Sequence, residues 1–157
     1  MFKGNSRNTI DAKGRITVPA RWRSDLPDKL VVMFGIGDNP EDKFLQFMTP
    51  ATFEGAYGAI ASSSMTDGAF ARAKRFILSN AEDITVDKSD RILIPQHLIR
   101  YAELSGEVVL CGVGDHIQIW NPERLDRANG GYGVADFSND AASYAAKYPD
   151  RVFGNAN

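Results

Sequence analysis

The sequence predicts an α+β fold in which two tandem copies of one β-rich unit build a single β-barrel around a pseudo-two-fold axis. Two observations support this prediction: the chain repeats itself, and each copy alternates short β-branched strands with short helices. One copy has too few strands to bury a sizeable core, whereas 157 residues suit one domain. We therefore expect the two copies to share a core, with the connecting helices packed on the outside.

The internal repeat consists of three blocks that recur in the same order. The blocks pair residues 9–19 with 85–95, residues 31–38 with 108–115, and residues 45–50 with 117–122. The offset between the copies is 76, then 77, then 72 residues, so insertions and deletions fall between the blocks. Loops tolerate such changes in length, and duplication of one folding unit therefore explains the pattern.

Each copy begins with a predicted β-hairpin followed by a short helix. The two strands and the helix are predicted over 8–11, 15–18 and 19–23 in the first copy, and over 84–87, 91–94 and 95–100 in the second. Asp11 and Gly14 suit a type I turn that closes with a residue of positive φ. Pro19 and Pro95 end the second strand and open the helix, where the missing N–H of proline costs nothing.

The second half of each copy is predicted as two strands and a helix. A buried strand ends in Gly-x-Gly, and the next strand alternates around Gln46 or Gln118. Thr49 and Asn121 each precede a proline and are the expected N-caps of the helix.

Domain boundaries follow from the repeat and from composition. We assign the first repeat to 5–54, the second to 81–126, and a weakly ordered C-terminal tail rich in Gly, Asn and Asp to 127–157. An amphipathic helix is predicted between the copies, over 66–79, and a last helix over 141–148.

Positive charge is concentrated at the N-terminal end, although the formal net charge of the chain is only −2. Residues 1–23 contain six basic side chains and one acidic side chain, a balance of +5, whereas residues 24–69 carry a balance of −5. A protein polarised in this way attracts polyanions. The six basic residues are Lys3, Arg7, Lys13, Arg15, Arg21 and Arg23.

Composition excludes disordered, collagenous and membrane-spanning proteins. The hydrophobic fraction of 43% and the charged fraction of 24% are ordinary for a globular protein, and the longest strongly apolar run, 30–36, is too short to cross a bilayer. The first residues lack the apolar segment of a signal peptide, so we expect the chain to remain in the cytoplasm. The single cysteine, Cys111, can neither close an intramolecular disulfide nor pair with a second cysteine at a zinc site.

The sequence contains no motif for catalysis or for cofactor binding. A Walker motif is absent, and the Gly-x-Gly segments at 35–37 and 112–114 lack the third glycine of a dinucleotide-binding loop. His97 and His116 are interpreted as packed or surface residues, because neither belongs to a His-Glu-x-x-His motif. We therefore predict no catalytic residue, metal, cofactor or small-molecule substrate.

The hairpin motifs closely resemble those of the MraZ family. The first copy has Met-Phe-x-Gly at residues 1–4 and Asp-Ala-Lys-Gly-Arg at 11–15, followed by Val-Pro at 18–19. The second copy has Asp-Lys-Ser-Asp-Arg at 87–91, which resembles the family's second Asp-x-x-x-Arg motif. The resemblance covers residues 1–126.

This resemblance implies a SpoVT/AbrB-like swapped-hairpin barrel made from the two repeats. It implies a cytoplasmic, nucleoid-associated transcriptional regulator that represses the division and cell-wall gene cluster. It also implies a ring-like homo-oligomer bound to tandem promoter repeats in double-stranded DNA, with no membrane partner. An AbrB-like antitoxin, which would bind DNA and neutralise a partner toxin, is the alternative.

The first hairpin loop is the expected centre of DNA binding. Arg15 carries a planar fork that can bind guanine O6/N7 or a phosphate, and Asp11 across the turn can orient that fork. Lys13 at the tip is a mobile charge suited to phosphate. The predicted DNA-binding set is Arg15, Lys13, Arg7, Lys3, Arg21 and Arg23, with Asp11, Gly14, Asp87 and Arg91 as orienting residues of the two motifs.

The second loop departs from the first at one position that matters for charge. Asp90 stands where the first loop has Gly14, and aspartate tolerates positive φ, so the turn can survive. Asp87 and Asp90 oppose Lys88 and Arg91, which leaves the loop nearly neutral. We therefore expect the second Asp–Arg pair mainly to stabilise its turn.

Overall fold

The computed structural model describes residues 1–63 and 68–151. Its elements are β1 (Asn5–Ile10), β2 (Arg15–Thr17), α1 (Ala20–Arg23), β3 (Lys29–Phe34), β4 (Leu45–Met48), α2 (Pro50–Ser62), α3 (Gly68–Asn80), β5 (Glu82–Thr85), β6 (Arg91–Leu93), α4 (Gln96–Ala102), β7 (Gly106–Gly112), β8 (Ile117–Trp120), α5 (Pro122–Ala128), α6 (Val134–Lys147) and a 3-10 turn (Pro149–Arg151). The chain forms two compact units, Met1–Leu125 and Asp126–Asn157, and both repeats lie in the first except for Asp126 at the end of the second repeat.

The strands of the described residues form a six-stranded sheet and a two-stranded ribbon, both antiparallel. The sheet order is β1-β7-β8-β4-β3-β5, and the ribbon pairs β2 with β6. The first strand of each copy pairs with the third strand of the other copy, β1 with β7 and β5 with β3. Beyond the turns themselves, the described strands of each predicted hairpin therefore do not pair with each other, which corrects that prediction. The copies exchange their first strands and share one core, so each hairpin strand finds its partner in the other copy.

A pseudo-two-fold axis relates the two copies. In the middle of the sheet Gln46 lies opposite Gln118, and in the β2–β6 ribbon Ile16 lies opposite Ile92. Each of these residues faces its own counterpart in the repeat. Exchanging the copies also reverses the strand order and so reproduces the same sheet. The pairing agrees with the axis that the sequence predicts.

The predicted α+β class is confirmed, but backbone pairing among the described strands does not close the predicted barrel. β1 and β5 are the two edges of the sheet and do not pair with each other. The reason lies in the tight turns, which carry the chain out of the sheet, so that the three-residue strands β2 and β6 pair with each other. β1 begins three residues and ends one residue earlier than predicted, and β5 begins and ends two residues earlier. Both strands end before Asp11 and Asp87, because these residues belong to the turns.

The core of the first unit is built from both repeats. Ile16 and Ile92 are fully buried beneath the ribbon, together with Phe47 of β4. Trp22 and Trp120 are 3% and 5% exposed, so both belong to the interior.

The helix starts also follow the sequence. Thr49 Oγ1 accepts a hydrogen bond from the N–H of Thr52 at 3.1 Å, and Asn121 Oδ1 accepts one from the N–H of Glu123 at 2.9 Å, so both predicted N-caps are confirmed. Helix α3 begins at Gly68, and residues 66–67 of the predicted helix lie outside the described residues.

In the second unit, helix α6 is longer than the sequence predicts. It begins at Val134 rather than at 141. The carboxylate of Asp136 accepts a hydrogen bond from the backbone N–H of Gly133 at 2.8 Å, which gives a partner to one of the N–H groups at the start of the helix. Gly133 and Asp136 therefore form the start of this helix. None of the helices in residues 1–63 and 68–151 has the length and apolar character needed to span a membrane.

Candidate nucleic-acid interface

The β2–β6 ribbon presents an outward face that both repeats contribute to. Each strand alternates, so Ile16 and Ile92 point into the core. The side chains on the opposite face are Arg15, Thr17, Arg91 and Leu93. Arg15 lies opposite Leu93, and Thr17 lies opposite Arg91. One arginine therefore stands at each end of the ribbon, related by the pseudo-two-fold axis.

The first hairpin loop is organised by one carboxylate. Asp11 Oδ1 accepts hydrogen bonds from the backbone N–H groups of Lys13 at 3.0 Å and Arg15 at 2.9 Å. Asp11 Oδ2 accepts a third bond from Arg15 Nε at 2.7 Å. Among the described residues Arg15 makes no other side-chain hydrogen bond, so its Nη1/Nη2 edge is available for a bidentate contact.

The second hairpin loop repeats this geometry. Asp87 Oδ1 accepts hydrogen bonds from the backbone N–H groups of Ser89 at 2.8 Å and Arg91 at 2.9 Å. Asp87 Oδ2 accepts a third hydrogen bond from Arg91 Nε at 3.1 Å. The side chains of Arg15 and Arg91 are 31% and 33% exposed, so the two pairs are equivalent in burial as well as in bonding. The structure thus brings both predicted Asp–Arg pairs to one ribbon.

Hydrogen bonds within the loops keep both carboxylates ionised. The pKa of Asp11 lies below its ordinary value, chiefly because the carboxylate accepts the backbone N–H of Arg15. The pKa of Asp87 is lowered for the same reason by the N–H of Arg91. Each aspartate is therefore a charged acceptor at neutral pH and fixes the direction of its arginine.

The turn position that differs between the loops has the same backbone conformation in both. Gly14 has φ +87°, and Asp90 has φ +59°. A Cβ atom at Gly14 would lie 2.7 Å from Cδ1 of Ile99 in helix α4 and 3.1 Å from the carbonyl oxygen of Ile94, so a side chain there would require Ile99 to move. In the second loop, the Asp90 carboxylate instead accepts a hydrogen bond from Arg23 Nε of helix α1 at 3.0 Å.

Arg23 is engaged within the protein. Besides Asp90, its guanidinium donates to Asp28 Oδ1 at 2.6 Å and to the backbone carbonyl of Leu26 at 2.9 Å. The hydrogen bond to Asp28 is the main reason why the pKa of Arg23 is raised above its ordinary value. Of the six predicted basic residues, Arg23 is the one that these contacts tie most closely to the fold.

The other basic residues of the predicted set surround strand β1. Arg7 forms an ion pair with Glu107, and the guanidinium of Arg21 contacts the carbonyl of Asn5 and lies 4.7 Å from the ring centre of Trp22. The remaining two residues, Lys3 and Lys13, are exposed and form no ion pair with the described residues.

Strand β1 lies beside the ribbon, because Asn8 Nδ2 donates to the carbonyl of Thr17 at 2.9 Å. Arg7, which precedes Asn8, is therefore close to the ribbon in the fold. Lys13 is connected to the ribbon directly, because its loop leads into β2.

Histidine and cysteine are not gathered into a site in this structure. His116 Nδ1 lies 2.8 Å from Asp115 Oδ1, and burial raises the pKa of the Cys111 thiol. Across residues 1–63 and 68–151, no group of three or more His, Cys, Asp or Glu side chains could hold a metal ion.

Comparison with known families agrees with the hairpin motifs. A family model described as "MraZ protein, putative antitoxin-like" matches residues 1–41 and 77–141. The chain belongs to the MraZ family. The resemblance of the two Asp-x-x-x-Arg motifs is thereby confirmed, and the match to this MraZ model extends beyond residue 126 into the second unit.

MraZ proteins from several bacteria match most of the chain. The protein named "Transcriptional regulator MraZ" of Desulforapulum autotrophicum is 40% identical over 129 residues, which covers 82% of this chain and 86% of the relative. Its namesake in Dictyoglomus thermophilum is 34% identical over 147 residues, covering 94% and 97%, and that of Mycoplasmoides gallisepticum is 34% identical, covering 82% and 87%. MraZ transcriptional regulators are not enzymes, which agrees with the prediction for this chain.

A solved structure gives only a distant likeness to this MraZ chain. The solution structure of PHS018 from Pyrococcus horikoshii superposes with a TM-score of 0.32 and 12% sequence identity, covering 76% of this chain and 88% of that one. This similarity is too low to carry an argument about the fold.

The contribution of the second repeat to the outward face is not evident from the sequence. Arg91 is recognisable from its motif, but Leu93 is not, because its counterpart in the first copy is Thr17. The strand alternation Arg-Ile-Leu at 91–93 contains the signal, since burial of Ile92 turns Leu93 outward.

Proposed function

We propose that this chain is a sequence-specific DNA-binding transcriptional repressor that uses the β2–β6 ribbon to read the major groove. The observation that carries the proposal is the pair of arginines on one exposed ribbon face, each held at Nε by an aspartate and each with its Nη edge free of protein partners in the described part of the chain. Arginine presented in this way can bind guanine O6/N7 bidentately.

The shape of the ribbon supports this use. A major groove about 12 Å wide admits a two-stranded β-ribbon, and several DNA-binding proteins read bases with such a ribbon. The basic side chains around the ribbon and β1 can then contact phosphates and fix the register. In this arrangement Arg15 reads a base edge, while Lys13, Lys3, Arg7 and Arg21 contact the backbone. Arg23 contributes mainly by holding the second loop.

The regulated genes and the assembly are part of the same proposal. The relatives carry the name transcriptional regulator, and we propose that this chain represses the division and cell-wall gene cluster from the cytoplasm, associated with the nucleoid. One protomer offers few base-reading side chains, so useful affinity requires several protomers on tandem promoter repeats. We therefore propose a ring-like homo-oligomer.

We also propose that the two repeats, 5–54 and 81–126, form a swapped-hairpin fold of the SpoVT/AbrB type whose sheet stays open between β1 and β5, with 127–157 as a C-terminal tail. The exchange of β1 and β5 between the copies supports this assignment.

A gel-shift assay against the DNA upstream of the chain's own gene tests the proposed function. The chain should shift this fragment at a concentration at which a scrambled fragment of equal composition stays free. Equal binding to both fragments would overturn the proposal of sequence-specific recognition. Light scattering on the same preparation tests the assembly: a closed homo-oligomer is expected, and a monomer at the working concentration would contradict it.

The antitoxin alternative shares the DNA-binding step and differs in its partner. The description of the matching family model contains the term antitoxin-like, and this term is the observation that favours the alternative. An antitoxin requires a toxin whose lethality it relieves, so deletion of this chain should be lethal unless a second gene is removed. A repressor instead predicts a viable deletion with raised transcription of the target cluster.

A further inference from the structure

Leu93 is a large apolar side chain on the face of the ribbon that is otherwise polar. It is 55% exposed, although the neighbouring Ile92 is completely buried. Its position opposite Arg15 in β2 puts it on the outward face, and the N–H of Ile94 donates to the carbonyl of Gly14 at 2.8 Å, which places Leu93 beside the first loop. Leu93 lies between Arg15 and Arg91 on this face. Packing of Leu93 against an apolar protein surface would be unfavourable, because the guanidinium groups of both arginines would lose their hydration.

We infer that Leu93 determines specificity by packing against the C5-methyl group of a thymine, next to the base pair that Arg15 contacts. This inference rests on the proposed function of the ribbon. The thymine methyl is the apolar group that base pairs present in the major groove, and apolar side chains recognise it by contact.

The spacing of the ribbon suits two neighbouring base pairs. Side chains directly opposite in an antiparallel pair have Cβ atoms about 5 Å apart, and successive bases along one strand are separated by about 3.4 Å. When the Arg15 fork faces one base pair, Leu93 faces an adjacent one. The first end of the ribbon therefore reads DNA with residues from both repeats, Arg15 from the first and Leu93 from the second.

The two ends of the ribbon differ in this respect. At the second end, Arg91 stands opposite Thr17, a smaller side chain with a hydroxyl group. Threonine can contact several kinds of base edge and discriminates less by its methyl group. Thr17 is the repeat counterpart of Leu93, so it provides a matched control at an equivalent position.

Replacement of thymine by deoxyuridine tests the inference, because it removes only the methyl group. Each thymine of the upstream fragment is replaced in turn by deoxyuridine. The affinity of the wild type, Leu93→Ala and Thr17→Ala for each fragment is then measured by fluorescence anisotropy. For at least one thymine, the wild type and Thr17→Ala should each lose about four-fold in affinity, the factor expected for one buried methyl group. Leu93→Ala should bind the thymine and deoxyuridine versions of that site equally.

The outcomes separate this inference from the proposed function. If the wild type does not prefer the upstream fragment over a scrambled one, the proposed function fails and the inference fails with it. If the preference holds but no methyl group affects the wild type, or Leu93→Ala stays as sensitive as the wild type, only the role of Leu93 is overturned. A changed molar mass of Leu93→Ala in light scattering, with unaltered methyl sensitivity, would assign Leu93 to a subunit contact instead.

Discussion

Replacement of Arg15 by alanine should remove base recognition and leave the fold intact. The lost contact is a bidentate pair to guanine, which contributes about 1–3 kcal/mol of discrimination, so specific affinity should fall about 5- to 150-fold for each engaged protomer. The hairpin turn should survive, because Asp11 accepts the backbone N–H of residue 15 whatever its side chain. The exposed ion pair between Arg15 and Asp11 itself adds little to folding.

Two further variants make this experiment decisive. Arg15→Lys keeps the charge but lacks the fork, so it should retain affinity for scrambled DNA while losing most of its preference for the upstream fragment. Arg91→Ala is the matched control, because Arg91 has the same exposure and the same aspartate contact. Its loss should be clearly smaller than that of Arg15→Ala, since Asp87 and Asp90 weaken the attraction of the second loop for DNA. Titration of all variants on both fragments gives the losses, and equal losses at the two arginines would refute the reasoning about loop asymmetry.

Three other predictions concern the second loop, the N-terminal segment and the turns. Asp90→Asn removes an acidic charge near the ribbon and loosens Arg23, so affinity for both specific and scrambled DNA should rise about three-fold in an anisotropy titration. This is a through-space Coulomb effect that salt screens and that requires no phosphate contact by the second loop; unchanged affinity would show that the Asp90 charge does not oppose DNA binding. Gly112→Ala would place a Cβ about 2.5 Å from the backbone nitrogen of Lys3, so it should lower the free energy of unfolding by about 1–3 kcal/mol. Urea unfolding measures this loss, and an unchanged midpoint would contradict the close packing of Gly112 against the N-terminal segment. The pKa of Asp11 is lowered in the folded state, so its ionised form stabilises the fold; this stabilisation is complete above the ordinary pKa of aspartate, near 4, and is lost as the pH falls through the folded pKa. The difference in Tm between wild type and Asp11→Asn should therefore be constant from about pH 6 to 8 and shrink in acid. A difference independent of pH would show that the carboxylate charge has no role in the turn.

The local structure of each repeat could be predicted from the sequence because short-range chemistry determines it. The Asp at the start of each turn, the residue of positive φ at its end and the N-caps Thr49 and Asn121 all act within three or four residues. The pseudo-two-fold axis could also be predicted, because one copy of the duplicated unit has too few strands to bury a core and must share its core with the other copy.

The exchange of strands between copies could not be worked out from the residues alone. Strand β1 is compatible with pairing to its own β2 or to β7 of the other copy, and only the packing of both repeats decides between them. For the same reason, the placement of Arg15 and Arg91 on one ribbon could not be predicted from the sequence. The ion pair between Arg23 and Asp90 likewise depends on a tertiary contact.

The salt dependence of DNA binding tests the central claim, that the first hairpin loop contacts the phosphate backbone. If two protomers each neutralise about three phosphates, log affinity should fall with log salt with a slope of about −5. Lys13→Ala should flatten this slope by about one unit per engaged protomer and weaken scrambled DNA as much as the upstream fragment. Lys88→Ala, the control in the second loop, should leave the slope almost unchanged. A slope that responds to Lys88 and not to Lys13 would show that the second loop, and not the first, contacts the DNA.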